Sequence, residues 1–251
     1  MILGKSFIKN CQSIMNQKTS QLFILPYAGG DYNSFKQLVS NLDSSIEAFV
    51  IEYPGRGKRK KEPQANTFLE LIDDAIDSIN SLRDDALSFA ILGYSMGGVI
   101  AYEILKRKDL AGEADRLFIA SSMSPKDRYE LFVSAGEIND EKIMNRLELL
   151  GGIDKRILEN ERFSKVFLKP IIEDFRLFSQ YCFEGQKEKL NINATILYSK
   201  QDIETQEVEH WEELLNGKID YYCFDGGHFF INTNYMTMAK IINDYLQVRT
   251  K

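Results

Sequence analysis

The chain has 251 residues, 44% hydrophobic and 27% charged, with 16 Phe and 12 Tyr, enough apolar mass to fill a core and to exclude a disordered chain. Lys and Arg number 31 against 37 Asp and Glu, and a net charge of -6 argues against a nucleic-acid partner. No apolar run reaches the roughly 18–20 residues that cross a membrane, and Cys11, Cys182 and Cys223 match neither a disulfide framework nor a metal-binding spacing.

Met1–Ser20 holds no apolar run followed by a small-residue cleavage site and is read as an N-terminal extension or helix of a cytoplasmic protein. Gln21–Leu25 (QLFIL), stopped by Pro26, predicts a fully buried strand. Ala28-Gly29-Gly30 predicts a turn, Asn33–Leu42 an amphipathic helix and Ala48–Tyr53 a second strand. From Thr67 to Leu82, apolar residues recur at three- and four-residue steps, the stripe of a surface helix. Leu87–Leu92 reads as strand, Met96–Lys106 as helix and Arg116–Ala120 as strand. Between Ser122 and Asn191 only helical patterns appear, among them Glu141–Leu150 and Pro170–Phe178, the latter with its proline at the first helical position. Alternation resumes with strand Ala194–Ser199, a helix near Val208–Leu215, strand Asp220–Phe224 and a C-terminal helix from Tyr235 to about Leu246. The pattern predicts one α/β domain, a mostly parallel sheet with helices on both faces and a helical lid inserted at about residues 122–190.

Gly93-Tyr94-Ser95-Met96-Gly97 fits G-x-S-x-G, with the strand before and helix after that a nucleophile elbow requires. The turn lifts the Ser95 hydroxyl out of the sheet, and the Met96 N–H, at a helix start, faces a developing oxyanion. Only two histidines exist. His210 sits beside Trp211 in a helical pattern and reads as a packing residue; His228 follows Gly226-Gly227 at a strand's carboxyl end and is the expected base. Asp202, just past another strand, is the preferred acid, in the order Ser, Asp, His; Asp225 is the rival. The Ala28 N–H, on the loop after the first strand, is the expected second oxyanion donor. No metal or dinucleotide motif appears, so no cofactor is expected.

These residues sit within a longer series of motifs: LPYAGG (Leu25–Gly30), PGRGKR with Glu62-Pro63, GYSMGG (Gly93–Gly98), LGG (Leu150–Gly152), LKPIIEDFRL (Leu168–Leu177), YSKQD (Tyr198–Asp202) and GGHFF (Gly226–Phe230). Together they resemble the type II thioesterases, stand-alone α/β-hydrolases of nonribosomal peptide and polyketide synthase pathways. The resemblance places nucleophile, acid and base on Ser95, Asp202 and His228, and the oxyanion amides on Ala28 and Met96. It differs at Tyr94, where the family often has histidine, at Ser199, where it has glycine, and near Leu38, where a tryptophan is common. It implies hydrolysis of acyl groups from the phosphopantetheine arm of acyl or peptidyl carrier domains; the sequence does not set the oligomeric state, and a monomer is the default expectation. Phe163, Phe167 and Phe175 would line the acyl path or simply pack the lid. The basic run Lys58-Arg59-Lys60-Lys61, with Arg56, is either a solvated loop or a docking patch for an acidic carrier. A small-molecule carboxylesterase and an acyl transferase or cyclase are the rival uses of the same three residues.

Overall fold

The computed structural model describes residues 18–151, 161–185 and 188–247, with backbone alone at 161–167. Nearly all of the expected N-terminal extension, including Cys11, lies outside the described residues, as do the side chains of Phe163 and Phe167.

Six strands form one sheet: β1 (Ser20–Leu25), β2 (Ile46–Val50), β3 (Ser88–Tyr94), β4 (Arg116–Ala120), β5 (Ala194–Tyr198) and β6 (Ile219–Cys223). The spatial order is β2-β1-β3-β4-β5-β6, with every neighbouring pair parallel. Among the described residues seven α-helices accompany them: α1 (Tyr32–Ser40), α2 (Phe68–Leu82), α3 (Met96–Arg107), α4 (Pro125–Ala135), α5 (Asp140–Leu149), α6 (Glu161–Phe178) and α7 (Ile231–Gln247).

The central strands β1, β3, β4 and β5 are largely apolar on both sides because both faces are covered. In β1, Leu22 and Ile24 join Phe35 and Leu38 of α1 and Met238 and Ile242 of α7. Phe23 and Leu25 point the other way, into a cluster with Leu71 and Ile72 of α2 and Val99 of α3. Helix starts follow side-chain capping: the Thr67 hydroxyl accepts from Glu70 N–H ahead of α2, and Ser124 accepts from Asp127 N–H ahead of α4.

Register fixes where the loops open. Leu25 pairs with Gly93, Tyr94 with Ala120, Ala120 with Leu197 and Tyr198 with Cys223. The segments after β1, β3, β4, β5 and β6 therefore emerge along one edge. Strand order reverses between β1 and β3, the switch point at which open α/β sheets bind ligands.

Three local expectations are corrected. Pro170 does not start a helix but lies inside α6, which begins nine residues earlier at Glu161. Asp174, Leu177 and Phe178 in the second half of α6 are all buried, and this tertiary anchoring outweighs the roughly 3 kcal/mol that an interior proline costs. Val208–Glu213 is a 3-10 helix, with Val208, Trp211 and Leu214 buried at three-residue spacing, the repeat of that tighter helix. Helix α4 was not singled out from its sequence; among its residues only Pro125 and Arg128 are buried, so it has almost no apolar stripe.

Candidate active site

Ser95 sits between β3 and α3 at φ 53 and ψ -115, a conformation that costs a side-chain-bearing residue about 1–3 kcal/mol. Its surroundings hold it there. Ser95 N–H donates to the Ala120 carbonyl at 2.8 Å, and its own carbonyl accepts from the Ser122 hydroxyl at 2.8 Å. A Cβ on Gly93 would strike the Gly97 carbonyl, and one on Gly97 would strike the Leu25 carbonyl of β1. The elbow is tight because backbone packs directly on backbone on both sides.

His228 Nε2 lies 3.0 Å from Ser95 Oγ, and its Nδ1 lies 3.1 Å from both Asp202 carboxylate oxygens. A carboxylate only accepts, so Nδ1 carries the proton and Nε2 presents its lone pair to the Ser95 hydroxyl. Both His228 and Asp202 are buried. The three side chains come from loops 107 and 26 residues apart in sequence (95 to 202, 202 to 228) and meet at the common edge of β3, β5 and β6.

Asp225 is exposed, and its backbone carbonyl accepts from the Asn234 side chain at 3.0 Å. Asp202 is the carboxylate at the imidazole, and Asp225 is a turn residue. His210 bonds Asp127 at 2.9 Å on the surface. With Glu207 these form the one His/Cys/Asp/Glu cluster of metal-binding compactness among the described residues, and it is satisfied as an ion pair.

One polar partner escaped the sequence reading. Ser121, just past β4 at φ 51, donates its hydroxyl to Asp202 Oδ2 and sits 3.1 Å from His228 Nδ1 and 2.8 Å from the His228 carbonyl. Asp202 Oδ1 also accepts from Glu204 N–H at 2.9 Å, so the carboxylate is fixed from three sides. No spacing rule singles out Ser121, since any hydroxyl after β4 has the same local pattern.

Two of the three departures from the family pattern, Tyr94 and Ser199, serve the His228 loop. Tyr94 OH donates to the His228 carbonyl at 2.6 Å; burial holds this phenol well above its usual pKa, so it remains a donor. Ser199 donates to the Gly226 carbonyl and accepts from Gln201 N–H at 3.1 Å, so its side chain shapes the turn where the family has glycine.

Met96 opens α3 with Ser95 as its N-cap, so its N–H is among those an α-helix leaves without an i-4 acceptor. Ala28 lies in the loop after β1 at the same edge. The expected basic patch divides. Arg56 is buried and paired in bidentate fashion with Asp174 of α6, so it is corrected from a docking residue to an internal one. Arg59 is half-buried and tied to Asp74 and Glu62, both at 2.6 Å. Lys58, Lys60 and Lys61 are exposed.

The model of the thioesterase domain family matches residues 20–246. The chain belongs to the thioesterase family. A probable anguibactin biosynthesis thioesterase, AngT of Vibrio anguillarum, is 26% identical over 94% of this chain and 95% of its own. The medium-chain S-acyl fatty acid synthase thioesterase of Rattus norvegicus is 24% identical over 89% of this chain and 86% of its own. Among solved structures, ClbQ from the colibactin NRPS/PKS pathway superposes with TM-score 0.79 at 22% identity, covering 92% of this chain and 98% of that one. This thioesterase therefore has the α/β-hydrolase fold and is a serine hydrolase. No helix among its described residues is long and apolar enough to cross a membrane.

Proposed function

We propose that this thioesterase releases acyl groups from the phosphopantetheine arm of synthase carrier proteins as free acids, and so unblocks a peptide or polyketide synthase. The observation that carries the reading is the continuous relay Ser95 Oγ, His228 Nε2, His228 Nδ1, Asp202, with 3.0 and 3.1 Å steps, in a member of the thioesterase family. AngT and ClbQ, named for biosynthetic pathways, support the carrier-bound substrate.

In this mechanism Ser95 Oγ attacks the thioester carbonyl while its proton moves to His228 Nε2. Asp202 fixes the tautomer and stabilises the imidazolium. The tetrahedral oxyanion takes hydrogen bonds from the Met96 and Ala28 N–H groups. Collapse breaks the C–S bond, and His228 returns the proton to the departing thiolate. Water then attacks the acyl-Ser95 ester, giving its proton to His228, and the acid leaves with Ser95 restored. A thioester carbonyl has weak resonance stabilisation and a good leaving group, so modest activation of Ser95 suffices.

The helices between β4 and β5 act as a lid over the acyl group, with half-buried Phe175 along its path. Lys58, Lys60 and Lys61 are the docking residues, because a positive loop on a protein of charge -6 locally offsets the repulsion of an acidic carrier. The test compares an acyl-carrier protein with a small acyl-thiol. Free acid should appear from both, and Lys60→Glu with Lys61→Glu should lower kcat/KM for the carrier about tenfold or more while changing the small substrate less than twofold. Faster turnover of oxygen esters than of carrier thioesters would point to a carboxylesterase, and an amide or lactone product to an acyl transferase.

A further inference from the structure

The strongest unassigned feature is a buried ion pair that joins three separate stretches of chain beside the loop carrying Ala28. Asp174 of α6 is fully buried, and its Oδ2 accepts from Gly29 N–H at 2.7 Å. The same carboxylate is gripped by both terminal nitrogens of Arg56, which is buried and stacked 5.1 Å from the Tyr53 ring. Burial alone would lower the Arg56 pKa; the hydrogen bonds and charge of Asp174 outweigh it and hold the guanidinium charged. Tyr53 OH in turn donates to the Pro26 carbonyl at 3.1 Å, at the start of the same loop. Ile171, one turn before Asp174 on α6, packs on Gly29 so closely that a Cβ at Gly29, whose φ is +79, has no room.

These contacts determine where the Ala28 amide points. A peptide unit is planar, and its N–H and C=O are antiparallel. The unit that carries Ala28 N–H also carries the Tyr27 carbonyl, which accepts from Gly30 N–H at 2.8 Å. The next unit carries Gly29 N–H, held by Asp174. Both peptide planes flanking Ala28 are thereby fixed, one by the turn itself and one by α6.

We infer that Asp174 and Arg56 are positioning residues for hydrolysis: together they aim the Ala28 N–H at the oxyanion, and they make α6 part of the oxyanion site as well as of the lid. Asp174 supplies the acceptor that orients Gly29. Arg56 pairs with that buried acceptor through both terminal nitrogens and cancels its charge, which would otherwise repel a nearby oxyanion. The inference rests on the Ser95 mechanism proposed above.

The experiment uses the full chain and two inhibitors besides the substrate. An alkylboronic acid forms a tetrahedral adduct on Ser95 with an oxygen in the oxyanion position, and an acyl-pantetheine amide binds with its carbonyl unreacted. Asp174→Ala should lower kcat about 30-fold or more with KM changed less than about threefold, because an oxyanion donor acts in the transition state. Boronate affinity should fall with kcat, and amide affinity should stay within threefold of the wild type. Asp174→Asn, which keeps an acceptor for Gly29, should recover part of both losses, and it is the variant to measure if the alanine protein does not fold. Arg56→Lys, which keeps the charge but not the bidentate grip, should fall between. Equal weakening of boronate and amide, or unchanged boronate affinity in a folded Asp174 variant, would overturn the inference. A wild type that binds the boronate yet turns over no acyl thioester would instead count against the thioester mechanism, and the boronate-to-amide ratio in the variants would still decide the role of Asp174.

Discussion

The carboxyl edge of the sheet and the helices inserted after β4 meet at the same site, but different forces hold them. At the edge, β1 and β3 are buried along nearly their whole length, and backbone packs on backbone around Gly93 and Gly97. In the inserted segment, α4 buries only Pro125 and Arg128, and α5 only Ile143 and Leu147. Helix α6 adds the buried apolar residues Leu168, Leu177 and Phe178, and the remaining internal anchors are charged. Arg128 of α4 and Arg146 of α5 both clasp Glu204, two residues past Asp202, while Asp174 of α6 clasps Arg56. Apolar burial is large and non-directional; a buried ion pair contributes little net stability but fixes where its partners sit. The edge is thus built for strength, and the segment for placement.

Removing the nucleophile should give the largest effect and leave that architecture alone. Ser95→Ala should lower kcat by about 10^4 or more, measured as thiol release, with the unfolding midpoint nearly unchanged. Asp202→Asn should follow at roughly 10^3-fold or more, because the amide favours the wrong imidazole tautomer. Asp225→Asn should stay within about twofold. Comparable losses at 202 and 225 would mean that the acid is not read correctly from the edge.

The contrast sharpens at Glu204. Glu204→Gln leaves Arg128, buried and next to Arg146, without its counter-charge, and should destabilise the fold by about 3–5 kcal/mol in urea unfolding. Replacing all three members by apolar residues of similar volume should recover most of that stability, since a buried ion pair and a hydrophobic contact are nearly equivalent in net terms. Activity should recover less, because the loop carrying Asp202 would lose its placement. Full recovery of both would break the distinction drawn here.

What could be read from sequence follows the same division. Every strand was found: the central ones are buried on both faces and the half-exposed edge strands β2 and β6 still read as short, mostly apolar runs bounded by turns, a local signal. Ser95 was legible because it directly follows such a run, Asp202 and His228 because each lies on the short loop after a strand, and with two histidines in the chain the base was nearly forced. The segment was harder. Helix α4 lacks an apolar stripe, and the continuation of α6 through Pro170 depends on buried partners that lie elsewhere in the chain. Arg56 was read as part of a basic run, because nothing local shows that a residue 118 positions away pairs with it. Ser121 was missed for the same reason: its partners, Asp202 and His228, are close in space and distant in sequence.

The smallest effect expected comes from setting the two histidines against each other. His210 touches the inserted segment through Asp127 of α4, and this hydrogen bond raises its pKa above the usual 6.5. A folded-state pKa above the unfolded value means that the fold favours the protonated ring. The stabilisation is complete below about pH 6, and it is lost as pH rises through the folded value. The side chain is 38% exposed, so solvent screening keeps the contribution to roughly a few tenths of a kcal/mol. Glutamine keeps a donor for Asp127 without the charge. The stability difference between wild type and His210→Gln should therefore be positive at pH 5.5 and vanish by pH 8.5, while the pH dependence of kcat, set at the edge away from His210, stays superimposable. A difference independent of pH would show that the ring holds α4 by packing, and a shifted kcat profile would show that the segment and the edge titrate together.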